Sequence, residues 1–246
     1  MMNRFLFDPA TCSGDDVLLS KEESRHISKS LRLKEGAEVE LFDGKGTVFQ
    51  AEILEVGRRV KVRLGSPVNR GVMAGKPVWV MQGLLKGKKM DTVVQKCTEL
   101  GAARFNAFIS SRCQVKYDEI QNSRRQERWQ RITVAACKQC LRNQPLIIDQ
   151  VVPFSGLFDL RGPGSNPLRL LFWEEEKVVR LYDLASFDQF DSVNLILGPE
   201  GGLTVEEVEM ARAEGWQTVS LGDNILRAET ATLSALSIVQ YLAGSI

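Results

Sequence analysis

Leu195-Ile-Leu-Gly-Pro-Glu-Gly-Gly202 is the stretch that decides how this chain folds. An apolar run stops at a glycine-rich turn, and just beyond it Thr204 and Glu207 have the spacing of a helix capping box. A buried strand turning tightly into a helix is one unit of a parallel α/β sheet, whose ligand site lies at the carboxyl ends of its strands. Glycine lets a ligand approach the backbone closely, and the helix start offers unpaired N–H groups to a polar or anionic group. A tight turn that binds nothing has the same composition.

The unit recurs on both sides. Val78 to Gln82, Phe105 to Ile109, Leu168 to Trp173 and Thr218 to Leu221 read as further strands. Met90, Val93, Val94, Cys97 and Leu100 recur at helical spacing and stop at Gly101, a residue suited to closing a helix. Ser123 is placed to cap a helix running to about Leu141, with Trp129, Ile132, Ala136 and Cys140 on one face. A last helix, Ala228 to Ala243, carries Leu233, Leu236, Val239 and Leu242 on one side and Ala228, Ala231 and Ala235 on another. The small residues suit either an intrachain contact or a dimer interface.

Upstream the pattern changes. From Val39 the apolar residues alternate through Leu41, Val48, Ala51, Ile53, Val60, Val62 and Leu64, with turn signals at Asp43-Gly44 and Gly57-Arg58. These are short strands of a small barrel, preceded by a short helix or turn within Lys21 to Leu33. Gly65 to Pro77 holds three Gly and two Pro, which puts a boundary between domains 1–72 and 73–246.

With 43% hydrophobic and 26% charged residues, the composition excludes a disordered chain or a disulfide-rich scaffold. The net charge of +1 hides a division. Residues 1–72 carry 12 basic and 11 acidic side chains, residues 73–145 carry 14 and 5, and residues 146–246 carry 6 and 15. A strongly basic middle beside an acidic last third points to a polyanion-binding face. Five cysteines without a framework spacing fit a reducing compartment, and no apolar run reaches the ~18 residues of a membrane helix. The start, Met1 to Asp8, lacks the form of a signal peptide, so a soluble cytoplasmic protein is expected.

Several familiar chemistries fail on spacing. No G-x-G-x-x-G occurs, which counts against a dinucleotide-binding fold. Gly83-Leu-Leu-Lys-Gly-Lys-Lys89 has one residue too few between its glycines for a phosphate loop, and Lys89 stands where a hydroxyl is required. Cys137-x-x-Cys140 has no second pair, and Cys140 belongs to an apolar helix face, so buried thiols are expected and no metal. The single histidine, His26, reads as structural or surface, and Glu174 to Glu176 as a solvated loop. Arg124, Arg125, Arg128 and Arg131 on one helix form either a polyanion-binding face or a solvated one. Arg227 opens the last helix, where a cation opposes the dipole; it either serves a ligand or pairs with an acid such as Glu229.

These segments together resemble the RsmE family of SPOUT methyltransferases. The likeness runs in order through His26 with Leu31-Arg-Leu33, Leu41-Phe-Asp-Gly44, Lys86-Gly-Lys-Lys-Met-Asp91 with Gln95-Lys-Cys-Thr-Glu-Leu-Gly101, Ser111-Arg-Cys113 and Ala135-Ala-Cys-Lys-Gln-Cys-Leu-Arg142. It ends on its two most specific parts, Leu197-Gly-Pro-Glu-Gly-Gly202 and Leu226-Arg-Ala-Glu-Thr230. The resemblance implies an N-terminal PUA-like β-barrel and a C-terminal α/β SPOUT domain with a trefoil knot. It also implies S-adenosyl-L-methionine as cofactor, a homodimer, and methylation of N3 of a uridine in small-subunit ribosomal RNA within the assembled subunit.

Carried over by position, the cofactor residues are Phe172, Leu197, Gly198, Pro199, Glu200, Gly201, Leu221, Gly222, Ile225, Leu226 and Arg227. Leu171 to Trp173 forms a third wall, where Phe172-Trp-Glu174 departs from many relatives. Arg227 is the candidate for stabilising charge on the base, and Glu200 or Glu229 for taking the proton. RNA contacts are assigned to Arg25, Arg32, Lys86, Lys89, Arg112, Arg124, Arg128, Arg131 and Arg142. The rival functions are a ribosome-assembly factor without catalysis and an enzyme acting on a small phosphorylated ligand; titration with S-adenosylhomocysteine separates both from a methyltransferase.

Overall fold

The computed structural model describes residues 2–69, 75–115, 119–184 and 187–246, so the middle of the expected linker, residues 70–74, lies outside the described residues. The chain divides into two units, Met1–Val72 with Cys137–Pro145, and Met73–Ala136 with Leu146–Ile246.

In the first unit, β1 (Arg4–Leu6), β2 (Cys12–Ser13) and β3 (Asp16–Leu18) precede a helix, α1 (Lys21–Arg25), that continues as a π-helical turn to Leu31. Then follow β4 (Glu38–Phe42), β5 (Val48–Val56) and β6 (Val60–Pro67), in a six-stranded sheet of order β1-β4-β5-β6-β3-β2. Period-two alternation builds its core: Val39, Leu41, Ile53, Val60 and Val62 are all buried, together with Phe5, Val17 and Ile27. His26 is half-buried and lies edge-on to Phe5 at 5.7 Å.

Assigning Cys137–Pro145 to the second domain is corrected here, and side-chain chemistry gives the reason. Arg4 is buried; it ion-pairs with Glu40 at 3.1 Å and donates a hydrogen bond to Asn143 Oδ1 at 3.0 Å. Lys138 pairs with Glu23 at 2.6 Å. Neither partner is near in sequence, so no local pattern marks the excursion. Cys137 is buried, and burial is the main cause that pushes its thiol up to about 12.

The second unit runs β7 (Val78–Gly83), α2 (Lys89–Glu99), β8 (Arg104–Ile109), α3 (Glu119–Cys140), β9 (Ile147–Ile148), β10 (Val152–Pro153), β11 (Pro167–Phe172), β12 (Ser192–Leu197), α4 (Val205–Ala213), β13 (Gln217–Val219) and α5 (Ala228–Leu242). Its sheet has the order β10-β8-β7-β12-β11-β13, with β9 paired to β8, and every pairing is parallel. Both faces are covered, as a parallel sheet requires. Val80, Phe105, Leu170 and Leu195 join α2 and α5 in one core, while Trp79, Met81, Leu171 and Ile196 join α4 in another.

The helix ends follow local rules, with one exception. Thr204 and Glu207 cap α4 reciprocally, at 3.2 and 3.0 Å. Gly101 closes α2 with φ of +85°. Helix α3, however, begins at Glu119, a turn earlier than expected, so Ser123 lies inside the helix and does not cap it. Among the described residues no helix is long and apolar enough to cross a membrane.

Candidate functional site

Because β11, β12 and β13 are parallel, their carboxyl ends open on one edge of the sheet, and the segments that leave them meet there. They enclose a cavity of about 440 Å³, within the size range of small-molecule sites. Phe172, Trp173, Glu174 and Lys177 line it from the first segment, Leu197 to Glu200 and Gly202 from the second, and Ser220 to Ala228 from the third. Lys89 and Ala231 complete the wall.

Of the eleven positions assigned to the cofactor, all but Gly201 line this cavity. Gly201 faces Arg112 instead: a Cβ there would stand 2.9 Å from the Arg112 carbonyl oxygen. Two other glycines explain how the turn packs. A Cβ on Gly83 would come within 2.6 Å of Pro199, and Gly202, at φ of +70°, lies against the Glu174 carboxylate.

Beneath the turn lies a polar link that sequence reading missed. The buried Gln82 amide donates to the Gly198 carbonyl at 2.9 Å, and its oxygen accepts from the buried Thr232 hydroxyl of α5. The glycine-rich turn and the last helix are therefore coupled through two fully buried side chains. The only local signal was a glutamine closing an otherwise apolar strand.

The charged groups sort sharply. Lys89 Nζ lies 2.9 Å from Glu200 Oε1 and 3.9 Å from Glu229 Oε2. Glu200 Oε1 also accepts the Lys86 backbone N–H at 3.1 Å. Burial pushes the Glu200 carboxyl up, but the Lys89 hydrogen bond and the backbone N–H groups of Lys86 and Glu200 outweigh it, so it is held below the ordinary value of 4.5. Glu200 Oε2 and Glu229 Oε2 are buried without a hydrogen-bond partner among the described residues. Arg227 lines the cavity at the N-cap of α5, exposed, and among the described residues its guanidinium has neither an ion pair nor a hydrogen bond. The expected alternative, a salt bridge to Glu229, does not form.

The residues assigned to RNA are scattered by the fold. Lys89 belongs to the cavity. Arg112 donates to the carbonyls of Gly201 and Leu203, both at 3.3 Å, and so braces the glycine-rich turn. Arg128 is paired with Asp91 at 2.5 Å. Arg25, Arg32, Lys86, Arg124 and Arg131 are exposed, while Arg142 is half-buried.

The reading of Glu174 to Glu176 as a solvated loop is corrected for one of its members. Glu174 and Glu175 are exposed, Glu174 at the cavity wall, whereas Glu176 is half-buried and accepts from Thr218 Oγ1 at 2.7 Å and from the Val178 and Val179 N–H groups. Those hydrogen bonds, Thr218 first, hold its carboxyl below the usual range.

Comparison with known proteins agrees with this geometry. An RNA methyltransferase domain matches residues 74–240, and an RNA methyltransferase PUA domain matches residues 19–64. Ribosomal RNA small subunit methyltransferase E of Bacillus subtilis is 31% identical over 228 residues, covering 91% of this chain and 89% of that protein. Its Neisseria gonorrhoeae counterpart, solved with S-adenosyl methionine bound, superposes with a TM-score of 0.88 at 29% identity over 98% of each chain. Legionella pneumophila Lpg2936, also solved with that cofactor, gives 0.89 at 31% identity over 98% of each. With its family domain, its full-length relatives and its strand-end cavity in accord, the chain belongs to the ribosomal RNA small subunit methyltransferase E family.

Proposed function

We propose that this protein transfers a methyl group from S-adenosyl-L-methionine to N3 of a uridine in small-subunit ribosomal RNA. The observation that carries the reading is the Arg227 guanidinium, without a partner among the described residues, in the wall of a cavity built from three strand-end segments.

The cavity fits the cofactor. Phe172, Leu197, Leu221 and Ile225 offer apolar surface, the glycine-rich turn offers backbone, and the carboxylates of Glu174, Glu200 and Asp223 in the wall suit a ligand bearing positive charge. When bound, the cofactor supplies a methyl group already activated on a sulfonium centre. The protein's own work is to align the base and stabilise charge on it. Uracil N3 carries a weakly acidic proton, so the attacking base is close to an anion. Arg227 neutralises that charge at a ring oxygen, and a cavity carboxylate takes the proton. The base leaves its stack to reach the cavity.

The reading extends to a trefoil knot in the second unit and a closed PUA-like barrel in the first. It also extends to a homodimer acting in the cytoplasm on the assembled small subunit. Exposed Ile238, Tyr241 and Leu242 on α5 support a partner surface there. Reverse transcription of ribosomal RNA tests the reaction, because an N3 methyl blocks Watson–Crick pairing. Cells lacking the protein lose one polymerase stop, and restoring the gene restores it. An unchanged pattern of stops would refute the assignment.

A further inference from the structure

The cavity wall that follows β11 is irregular: Trp173 to Val179 lie outside helix and strand, yet Trp173, Glu174 and Lys177 line the site. Such a segment is held by side chains or not at all. Glu176 supplies the hold. Its side chain is only 10% exposed, although Glu175, Lys177 and Val178 around it are exposed.

The two carboxylate oxygens do different things. Oε1 accepts the Val178 and Val179 N–H groups at 2.9 and 3.2 Å and closes the segment on itself. Oε2 accepts the Thr218 hydroxyl of β13 at 2.7 Å. Arg212 of α4 backs this contact: its guanidinium lies 3.6 Å from Glu176 Oε2, donates to Thr218 Oγ1 at 2.9 Å and stands over the Trp173 ring at 5.6 Å. Beside it, the Ser220 N–H donates to the Val179 carbonyl at 2.8 Å. Strand β13 leads directly into the third wall of the cavity, and the Glu174 carboxylate at the other end of the segment lies against Gly202 of the second.

We propose that Glu176, which does not itself line the cavity, is a positioning residue for the methyl donor: it anchors the first wall to β13, and cofactor affinity depends on that anchor. This rests on the reading of the cavity as the S-adenosyl-L-methionine site. A loose wall must be ordered when the ligand binds, and the cost of ordering it is subtracted from the affinity; an anchored wall is already in place. An ionised acceptor holds its donors more firmly than a neutral one.

Neighbouring side chains do not duplicate the anchor. Glu174 and Glu175 are exposed, and Lys177 donates to the Glu174 carbonyl within the same segment, at 2.8 Å. Asp223 pairs with Arg180 at 3.2 Å, but the Asp223 side chain is 86% exposed, so this pair contributes little.

The experiment uses the full-length protein with Glu176→Ala, Glu176→Gln and Thr218→Val. Calorimetry with S-adenosylhomocysteine gives about a tenfold loss of affinity in E176A and about threefold in E176Q, whose amide oxygen still accepts from Val178 and Val179. T218V also loses about threefold, and E176A/T218V is no weaker than E176A alone, because the two residues act through one contact. In turnover, KM for the methyl donor rises by the same factors while kcat falls no more than about twofold, and RNA affinity is unchanged. Hydrogen exchange reads the anchor without ligand: the Ser220 N–H, whose acceptor is Val179 and not Glu176, exchanges about tenfold faster or more in E176A.

An E176A affinity within about twofold of wild type, or a loss shared equally by RNA binding, overturns the proposal. Should E176A fail to fold, E176Q and T218V carry both measurements, and wild-type values in both overturn it. An unchanged Ser220 exchange rate removes the anchor and leaves the site reading intact. Failure of the wild-type protein to bind S-adenosylhomocysteine would instead remove the site reading, and with it the tie between Glu176 and the cofactor.

Discussion

Arg227 in the cavity wall and Arg124 on α3 are both exposed arginines without a partner among the described residues. Their surroundings differ. Arg227 faces a cavity shaped by three backbone segments, whereas Arg124 stands on a helix beside Arg131, in open solvent. A cation in a confined site acts on charge that develops there, and a cation on an open face acts on whatever polyanion approaches. The number of arginines in the basic middle therefore says less than which of them the fold has already engaged.

The largest expected effect follows from the confined member. Arg227→Ala lowers kcat by about 100- to 1,000-fold, the usual cost of removing a preorganised charge-stabilising donor, while binding of S-adenosylhomocysteine and of RNA changes little. Single-turnover assays with calorimetry read both, and wild-type turnover would return Arg227 to an ordinary surface cation. Next comes the scaffold of the cavity. Thr232→Val leaves Gln82 without its hydroxyl donor and loosens the link to Gly198, so S-adenosylhomocysteine affinity falls about tenfold with salt-dependent RNA binding intact. Equal loss of both would mean general unfolding.

The open face should respond differently. Replacing Arg124 and Arg131 by alanine weakens RNA binding and makes its logarithmic salt dependence shallower by roughly 0.7–0.9 for each phosphate no longer neutralised. Turnover at saturating RNA stays near wild type. An unchanged salt slope would make this face merely solvated and leave the comparison with Arg227 one-sided.

How much of this was legible in sequence depends on where each residue's partner lies. The glycine-rich turn and the Arg227 loop could be read because each breaks a local rule: glycines interrupt an apolar strand, and a cation opens a helix. The capping box of α4 and the closing Gly101 are equally local. Lys89, by contrast, looked like a member of a basic run, since Glu200 and Glu229 lie over a hundred positions downstream. Arg112 and Arg128 were assigned to RNA for the same reason, though the turn and Asp91 engage them. Strands β1 to β3, two or three residues each, are too short to show a period, and Cys137–Pro145 joins the first unit through the distant Arg4.

The two smallest effects separate engaged charges from free ones. Arg128 sits on the same helix as Arg124, but its guanidinium, itself more than half exposed, holds Asp91 in an ion pair. Arg128→Ala should therefore cost under about 1 kcal/mol of stability and leave the salt slope of RNA binding unmoved. A slope as shallow as that of the Arg124 and Arg131 variant would show that Arg128 exchanges Asp91 for phosphate when RNA arrives.

The cavity pair gives the counterpart in pH. Glu200 titrates below its ordinary 4.5 in the folded protein, so the stability it contributes is fully present above that value and is lost as pH falls through the lower folded value. Thermal unfolding of Glu200→Gln against wild type should differ by a constant amount at neutral pH, and the difference should shrink only below about 4.5. A gap that persists undiminished in stronger acid would place the contribution of Glu200 in packing rather than in its charge, and would weaken the contrast between a clamped carboxylate and a free guanidinium in one cavity.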